Sequence, residues 1–132
     1  MLIHPGSGGK GKNFQPECFF NLYEFLGPSR ADFLLGPVEI EQGLSWPGNP
    51  VKPENLVGLA EVLKKAGLLI SHDSGVAHLA AWMGVPTLAL FKAGDPAVWA
   101  PRGRRARVLK MKEWDEKRVL AELEKPLKPC QA

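Results

Sequence analysis

Residues 68–91 constrain the fold of this chain more than any other stretch. Leu68-Leu69-Ile70 is a short apolar run of strand type, and it ends in the polar pentapeptide Ser71-His72-Asp73-Ser74-Gly75. A helix-length apolar stretch follows over residues 75–83, then Gly84-Val85-Pro86, then a second strand-type run over residues 87–91. Gly followed by Pro is an ordinary helix stop before an extended segment. Two apolar strands joined by one helix are the signature of a parallel sheet buried on both faces. Residues 74–91 carry no Asp, Glu, Lys or Arg and approach the length of a membrane span. The Gly-Val-Pro break makes them a buried helix and a buried strand instead, and the helix is expected to be buried nearly all round.

The rest of the chain repeats this alternation. Leu2-Ile3 is a short strand-type start, and Phe19, Leu22, Tyr23 and Leu26 sit at helical spacing in a helix expected over residues 16–26. Residues 31–35 read as a strand, 38–43 as a polar helix or turn, and 45–52 as a Pro- and Gly-bearing loop. A second clear helix is expected over residues 53–66, with Pro53 in its first turn and an inward stripe of Leu56, Leu59, Ala60 and Leu63. Residues 92–105 read as a loop and 107–111 as a last strand. Residues 115–125 read as a charged amphipathic helix with Val119 and Leu123 inward. The expected fold class is α/β: a doubly wound, Rossmann-like parallel sheet with helices on both faces and right-handed crossovers. Residues 1–112 form that domain, and residues 113–132 are a C-terminal helix and tail packing on it.

A chain of 132 residues is one domain's worth, and 45% hydrophobic with 23% charged residues is a globular composition. Lys and Arg total 17 and Asp and Glu 14, a net charge of +3, which favours anionic ligands but is too small for a nucleic-acid binder. Two cysteines, Cys18 and Cys130, exclude a disulfide scaffold and a four-cysteine zinc site, and the default compartment is a reducing cytoplasm. The start Met1-Leu2-Ile3-His4-Pro5 has no basic segment leading into an apolar one, so no signal peptide is expected.

The distinctive polar clusters share one location. His4-Pro5-Gly6-Ser7, Gly36-Pro37-Val38-Glu39, Ser71-His72-Asp73-Ser74-Gly75 and Lys92-Ala93-Gly94-Asp95-Pro96 each follow a strand. Open α/β sheets bind ligands in the crevice at the C-terminal strand ends. At the third cluster a strand runs into a helix N-terminus, whose unpaired N–H groups and partial positive charge suit a phosphate. Gly75 lets an anion approach the backbone, and Ser74 and His78, four residues apart, are expected on one helix face near that end. The plainer reading keeps Asp73 or Ser74 as an N-cap and His78 as a core histidine.

Other chemistries weigh less. Gly6-Ser7-Gly8-Gly9-Lys10-Gly11-Lys12-Asn13 nearly matches a P-loop, but Asn13 stands where a hydroxyl should hold magnesium. A glycine loop presenting Lys10 and Lys12 to an anion, and a solvated turn, are its two other readings. His72-Asp73-Ser74 are sequence neighbours, which do not form a serine triad, and the nucleophile elbow needs Gly where His72 stands. His4, His72 and His78 lack zinc-ligand spacing, so no metal site is expected. Arg102, Arg104, Arg105 and Arg107 form a basic run, most simply a solvated face and less often a contact to phosphate or acidic lipid.

Together these residues resemble a known family. Ile3-His4-Pro5-Gly6-Ser7, Lys12-Asn13-Phe14, Gly36-Pro37-Val38-Glu39, Asp73-Ser74-Gly75-Val76-Ala77-His78-Leu79-Ala80-Ala81, Gly84-Val85-Pro86-Thr87, Asp95-Pro96 and Trp99 are similar to the C-terminal half of glycosyltransferase family 9. These are the ADP-heptose:lipopolysaccharide heptosyltransferases and their relatives. The resemblance runs from Leu2 to about Arg107 and implies one half of the two-Rossmann-domain GT-B fold, the half that holds the nucleotide-sugar donor without an obligatory metal or cofactor.

By position, the resemblance implies that Lys12 meets the donor diphosphate and Glu39 accepts hydrogen bonds from the ribose. Asp73, Ser74 and Gly75 hold the diphosphate and sugar, and His78 faces the donor one turn deeper. Ser7 and Lys92 complete the expected nucleotide-sugar-binding set, Lys92 standing in a loop that departs from the family's usual Phe-Gly-Pro-Thr. No catalytic residue is expected here, because the family's base lies on an N-terminal acceptor domain with no counterpart in this sequence. The expected partners are an ADP-like nucleotide sugar and a separate acceptor domain or a second copy, without nucleic acid and with at most peripheral membrane contact. The alternatives are a non-catalytic assembly module and, further off, a P-loop NTPase.

Overall fold

The computed structural model describes residues 1–6 and 13–125. Ser7, Lys10 and Lys12, and the tail that includes Cys130, lie outside them. Five strands form one parallel sheet: β1 (Leu2–His4), β2 (Asp32–Phe33), β3 (Leu69–His72), β4 (Thr87–Phe91) and β5 (Ala106–Lys110). Their order is β2-β1-β3-β4-β5, with every neighbouring pair parallel. The chain adds β2 on one side of β1 and β3, β4 and β5 on the other. The strand order therefore reverses between β1 and β3, the topological switch point where such sheets bind ligands.

Strand alternation divides the core between the two faces of the sheet. Ile3, Phe33, Ile70, Leu88, Leu90 and Leu109 pack on one side with Phe19 and Leu22 of α1 (Pro16–Leu26) and Val119 of α6 (Glu116–Glu124). Leu2, Leu34 and Leu69 pack on the other with Leu63 of α3 (Leu56–Lys64) and Ala80 of α4 (Gly75–Trp82). The expected doubly wound α/β architecture is the observed one. Two short helices, α2 (Pro37–Glu41) and α5 (Pro96–Trp99), follow β2 and β4.

Several local expectations are corrected. The second clear helix begins at Leu56 and not at Pro53, because the Asn55 side chain accepts from Gly58 N at 2.8 Å and caps the helix there. Leu56, placed in the inward stripe, is the first residue of the helix and is 69% exposed. The strand expected over residues 31–35 is regular as β2 at Asp32–Phe33; Leu34 N still donates to Ile3 O, and Leu34 forms a bridge to Val51. The loop over residues 92–105 contains α5, capped by Asp95, whose Oδ1 accepts from Ala97 N. The helix expected to be buried all round is buried on one side: Ala77, Ala80 and Ala81 face the sheet, and Trp82 is 82% exposed. An all-apolar helix sequence does not distinguish a sandwiched helix from one with an uncovered outer face.

Candidate functional site

The described parts of all four polar clusters stand at the C-terminal edge of the sheet. On the α3–α4 side the crevice floor is made by β1 and β3, whose register pairs His4 with Ser71. The two side chains share a face, and His4 Nδ1 lies 3.4 Å from Ser71 Oγ. His4 Nε2 faces Glu39 Oε1 at 3.9 Å. Burial pushes the His4 ring below its ordinary pKa against the opposing pull of Glu39, so the ring is neutral at neutral pH.

Glu39 is a buried carboxylate, 5% exposed. It sits in the first turn of α2 and reaches back to its own helix start, where Oε2 accepts from Gly36 N at 2.7 Å. A carboxylate near a helix N-terminus is favoured by the unpaired amides there. The backbone of Gly6 leans directly on this carboxylate, and a Cβ at residue 6 would fall on Glu39 Oε1.

The N-terminus of α4 closes the crevice. Ser74 is extended, at φ −155° and ψ 165°, and its Oγ accepts from Ala77 N at 3.3 Å. Ser71 Oγ lies 3.1 Å from Ser74 Oγ, which ties the cap to the end of β3. The N–H groups of Gly75 and Val76 have no partner among the described residues. Among the described residues, nothing beyond Gly75's own chain neighbours and helix backbone lies within 4 Å of a Cβ built on it, so that side of the helix start is open to them.

Two adjoining cavities occupy this crevice. One, of about 460 Å³, is lined by His4, Glu39, Ser74, Gly75 and Val76 among others. The other, of about 290 Å³, continues from His4 and Gly36 along Leu34, Asn55 and Leu56 and is largely apolar. A mostly apolar cleft with a few polar groups at one end is the usual form of a small-molecule site.

Among the expected site residues, the structure brings Glu39, Ser74 and Gly75 to this cleft. Asp73 and His78 form a pair on its outer side, His78 Nε2 standing 3.7 Å from Asp73 Oδ1. His78 lines a different depression with Trp82, Val98 and Arg102. The expectation that Ser74 and His78 share a helix face is corrected. Ser74 is the extended cap: its carbonyl accepts from His78 N at 3.2 Å, but its hydroxyl caps Ala77 N and lines the cleft, whereas His78 lines the other depression. Lys92 stands beyond the end of β4, where its Nζ donates to the Asn13 carbonyl at 3.4 Å and lies 5.9 Å from the Phe14 ring centroid. Ser7 and Lys12 lie outside the described residues. Asn13 to Gln15 precede α1, which starts at Pro16. A P-loop runs into the helix that follows it, whereas the described residues at and after the end of this near-match, Asn13 to Gln15, are not helical.

Two buried histidines matter more than their sequence context suggested. His4 forms the crevice floor. His72 is fully buried and ties loops on the opposite face: its Nδ1 donates to the Pro5 carbonyl at 2.9 Å and its Nε2 accepts from Phe14 N at 2.9 Å. Burial lowers its pKa to about 4, so it is neutral. The signal for it was the strand alternation, which continues past Ile70 and puts His72 on the face of Phe14 and Phe19. Among the described residues, no group of His, Cys, Asp or Glu is arranged to hold a metal ion, and no helix is long and apolar enough to cross a membrane.

The fold and its switch-point cleft define one domain of the GT-B heptosyltransferase architecture. The chain superposes on Escherichia coli heptosyltransferase WaaC with ADP at TM-score 0.76, with 22% identity, over 93% of this chain and 42% of that one. For E. coli ADP-heptose lps heptosyltransferase II the TM-score is 0.73 at 20% identity, over 92% of this chain and 44% of that one. For the glycosyl transferase family 9 protein of Veillonella parvula it is 0.71 at 25% identity, over 94% and 38%. The chain thus spans less than half of each of these structures.

Residues 40–128 match Glycosyltransferase family 9 (heptosyltransferase), and the chain belongs to that family. It is also 42% identical over 50 residues to lipopolysaccharide heptosyltransferase 1 of Pseudomonas aeruginosa, a stretch covering 38% of this chain and 14% of that protein.

Proposed function

We propose that this chain is the donor-binding half of a heptosyltransferase-like glycosyltransferase, holding an ADP-sugar that is transferred to a lipid-linked saccharide once an acceptor-binding domain completes the cleft. The observation that carries this reading is that Glu39 and the open N-terminus of α4 line one cleft at the switch point of the sheet. Glu39 presents a carboxylate oxygen to ribose hydroxyls. The Gly75 and Val76 amides, flanked by Asp73 and Ser74, take the diphosphate and the start of the sugar. The apolar cavity beyond His4 accommodates the base. Ser7, Lys12 and Lys92 supply hydroxyl and positive charge from the loops after β1 and β4, and His78 orients Asp73.

In this reading residues 1–112 form the donor domain and residues 113–132 pack on it. The chemistry asked of these residues is electrostatic. Amides and lysines aimed at the departing diphosphate stabilise charge that develops in the transition state, without help from a metal. The base that deprotonates the acceptor hydroxyl comes from the acceptor domain. The site faces the cytoplasm, with at most peripheral contact to a membrane.

Titration calorimetry with ADP, UDP and GDP tests the reading. ADP is expected to bind, weakly, and Lys12→Ala and Asp73→Ala are each expected to reduce its affinity by about tenfold, the worth of one charge-assisted hydrogen bond. Absence of binding by all three nucleotides refutes it.

A further inference from the structure

One imidazole outside the cleft holds two segments of the chain that follow β1. Resting on the donor-binding reading, we infer that His72 is a positioning residue: its ring holds the Pro5 carbonyl and the Asn13–Phe14 peptide, and thereby sets Glu39 in the donor cleft and Lys92 at the end of β4.

The first arm runs through Pro5. His72 Nδ1 donates to the Pro5 carbonyl, which fixes the chain as it leaves β1. The next residue, Gly6, is packed so closely on Glu39 that no side chain fits between them. Where Pro5 and Gly6 lie therefore decides where the Glu39 carboxylate lies, and Gly36 N–H reports it by donating to Oε2.

The second arm runs through a single peptide group. Phe14 N donates to His72 Nε2, and the carbonyl of the same peptide, on Asn13, accepts from Lys92 Nζ. N–H and C=O point opposite ways across a trans peptide, so His72 on one side orients the acceptor for Lys92 on the other. The Phe14 ring reinforces the arrangement. It stacks on the imidazole at a centroid distance of 5.7 Å and 21° between planes, with Lys92 over its face.

The arrangement demands one tautomer, with the proton on Nδ1, because the Pro5 carbonyl can only accept and the Phe14 amide can only donate. No other side chain does both jobs from one position. Asn reproduces the Nδ1 donor alone, and Gln reproduces the Nε2 acceptor alone.

Amide hydrogen exchange by NMR, together with ADP titration, on wild type, His72→Phe, His72→Asn and His72→Gln tests the inference. Phe keeps the stacking and loses both bonds. It is expected to speed exchange of both the Phe14 and Gly36 amides by at least tenfold and to weaken ADP about tenfold. Asn should restore slow exchange at Gly36 alone, and Gln at Phe14 alone. Unchanged Gly36 exchange in His72→Phe overturns the inference, as does uniform acceleration of all amides, the mark of general destabilisation. If His72→Phe does not fold, the opposite patterns of Asn and Gln decide the matter by themselves. If wild type binds no ADP, the donor reading fails while the exchange pattern still judges His72. Wild-type binding that His72→Phe leaves unaltered overturns the positioning role alone.

Discussion

Gly6→Ala is a single methyl group placed against a buried charge, and its cost can be worked from the packing. The new Cβ would coincide with Glu39 Oε1 and come within 2.9 Å of Glu39 Cγ, so the carboxylate must leave its place. Leaving breaks the 2.7 Å bond from Gly36 N, a hydrogen bond to a charged group worth about 2 kcal/mol. Repacking a side chain that is 5% exposed adds about 1 kcal/mol. The expected loss is about 3 kcal/mol, or about 10 °C in Tm for a domain of this size. Thermal and urea melts of Gly6→Ala, Glu39→Ala and the double variant form the assay. Removing the carboxylate first leaves the space that the methyl group needs. The double variant should therefore cost little more than Glu39→Ala alone, a coupling of nearly the full ~3 kcal/mol. Simple addition of the two single costs would refute the claim that Gly6 is required by the carboxylate.

Two further outcomes follow from the same structure. His72 titrates near 4 when folded against an ordinary 6.5, so below pH 6.5 the unfolded chain binds a proton that the folded chain refuses. Stability is full above pH 6.5 and falls as pH drops towards 4, by about 3 kcal/mol in total; urea midpoints measured from pH 7 to pH 4 check this, and a flat profile contradicts it. Gly103→Ala would drive a Cβ into the carbonyl of Ala81 at the end of α4, a backbone atom with little room to yield. A loss of about 2 kcal/mol in a urea melt is expected, and a cost below about 0.5 kcal/mol would show that the loop slides freely over the helix end.

What could be read from the sequence was what depends on local pattern. The apolar runs at 68–70 and 87–91, the Gly and Pro stops between them, and the stripe of Phe19, Leu22, Tyr23 and Leu26 each determine an element from neighbouring residues, and each stands where expected. The placement of Glu39 and of the Ser74 cap in one cleft followed because parallel strands bring all their C-terminal ends to one edge. What escaped depends on contacts across the chain. Trp82 is apolar in sequence and exposed in fact, because no other element among the described residues covers the outer side of α4. Leu56 lost its expected burial to a cap: Asn55, three residues before Gly58, starts the helix later than Pro53 suggested. His4 is a floor residue only because β1 pairs with β3 across more than sixty residues.

The pentapeptide 71–75 shows how one stretch divides its work by geometry alone. While the chain is still β3, successive side chains alternate between the two faces of the sheet. Ser71 turns to the cleft side, where its hydroxyl meets His4 and the Ser74 cap. His72 turns to the other side, where it holds Pro5 and Phe14. After His72 the strand ends, and Asp73 and Ser74 answer to the helix that follows: Ser74 caps it and Asp73 faces His78 one turn along. Gly75 then begins α4, and among the described residues its amide has no partner and no side chain stands in the way. Moving this segment by one residue relative to the strand would exchange Ser71 and His72 between the faces. A bulky imidazole would then occupy the cleft floor and a short hydroxyl would face Phe14, unable to span to both Pro5 and the Asn13–Phe14 peptide. The order Ser-His-Asp-Ser-Gly is therefore dictated by the register of β3, and the resemblance of its middle residues to a hydrolase triad is incidental to it.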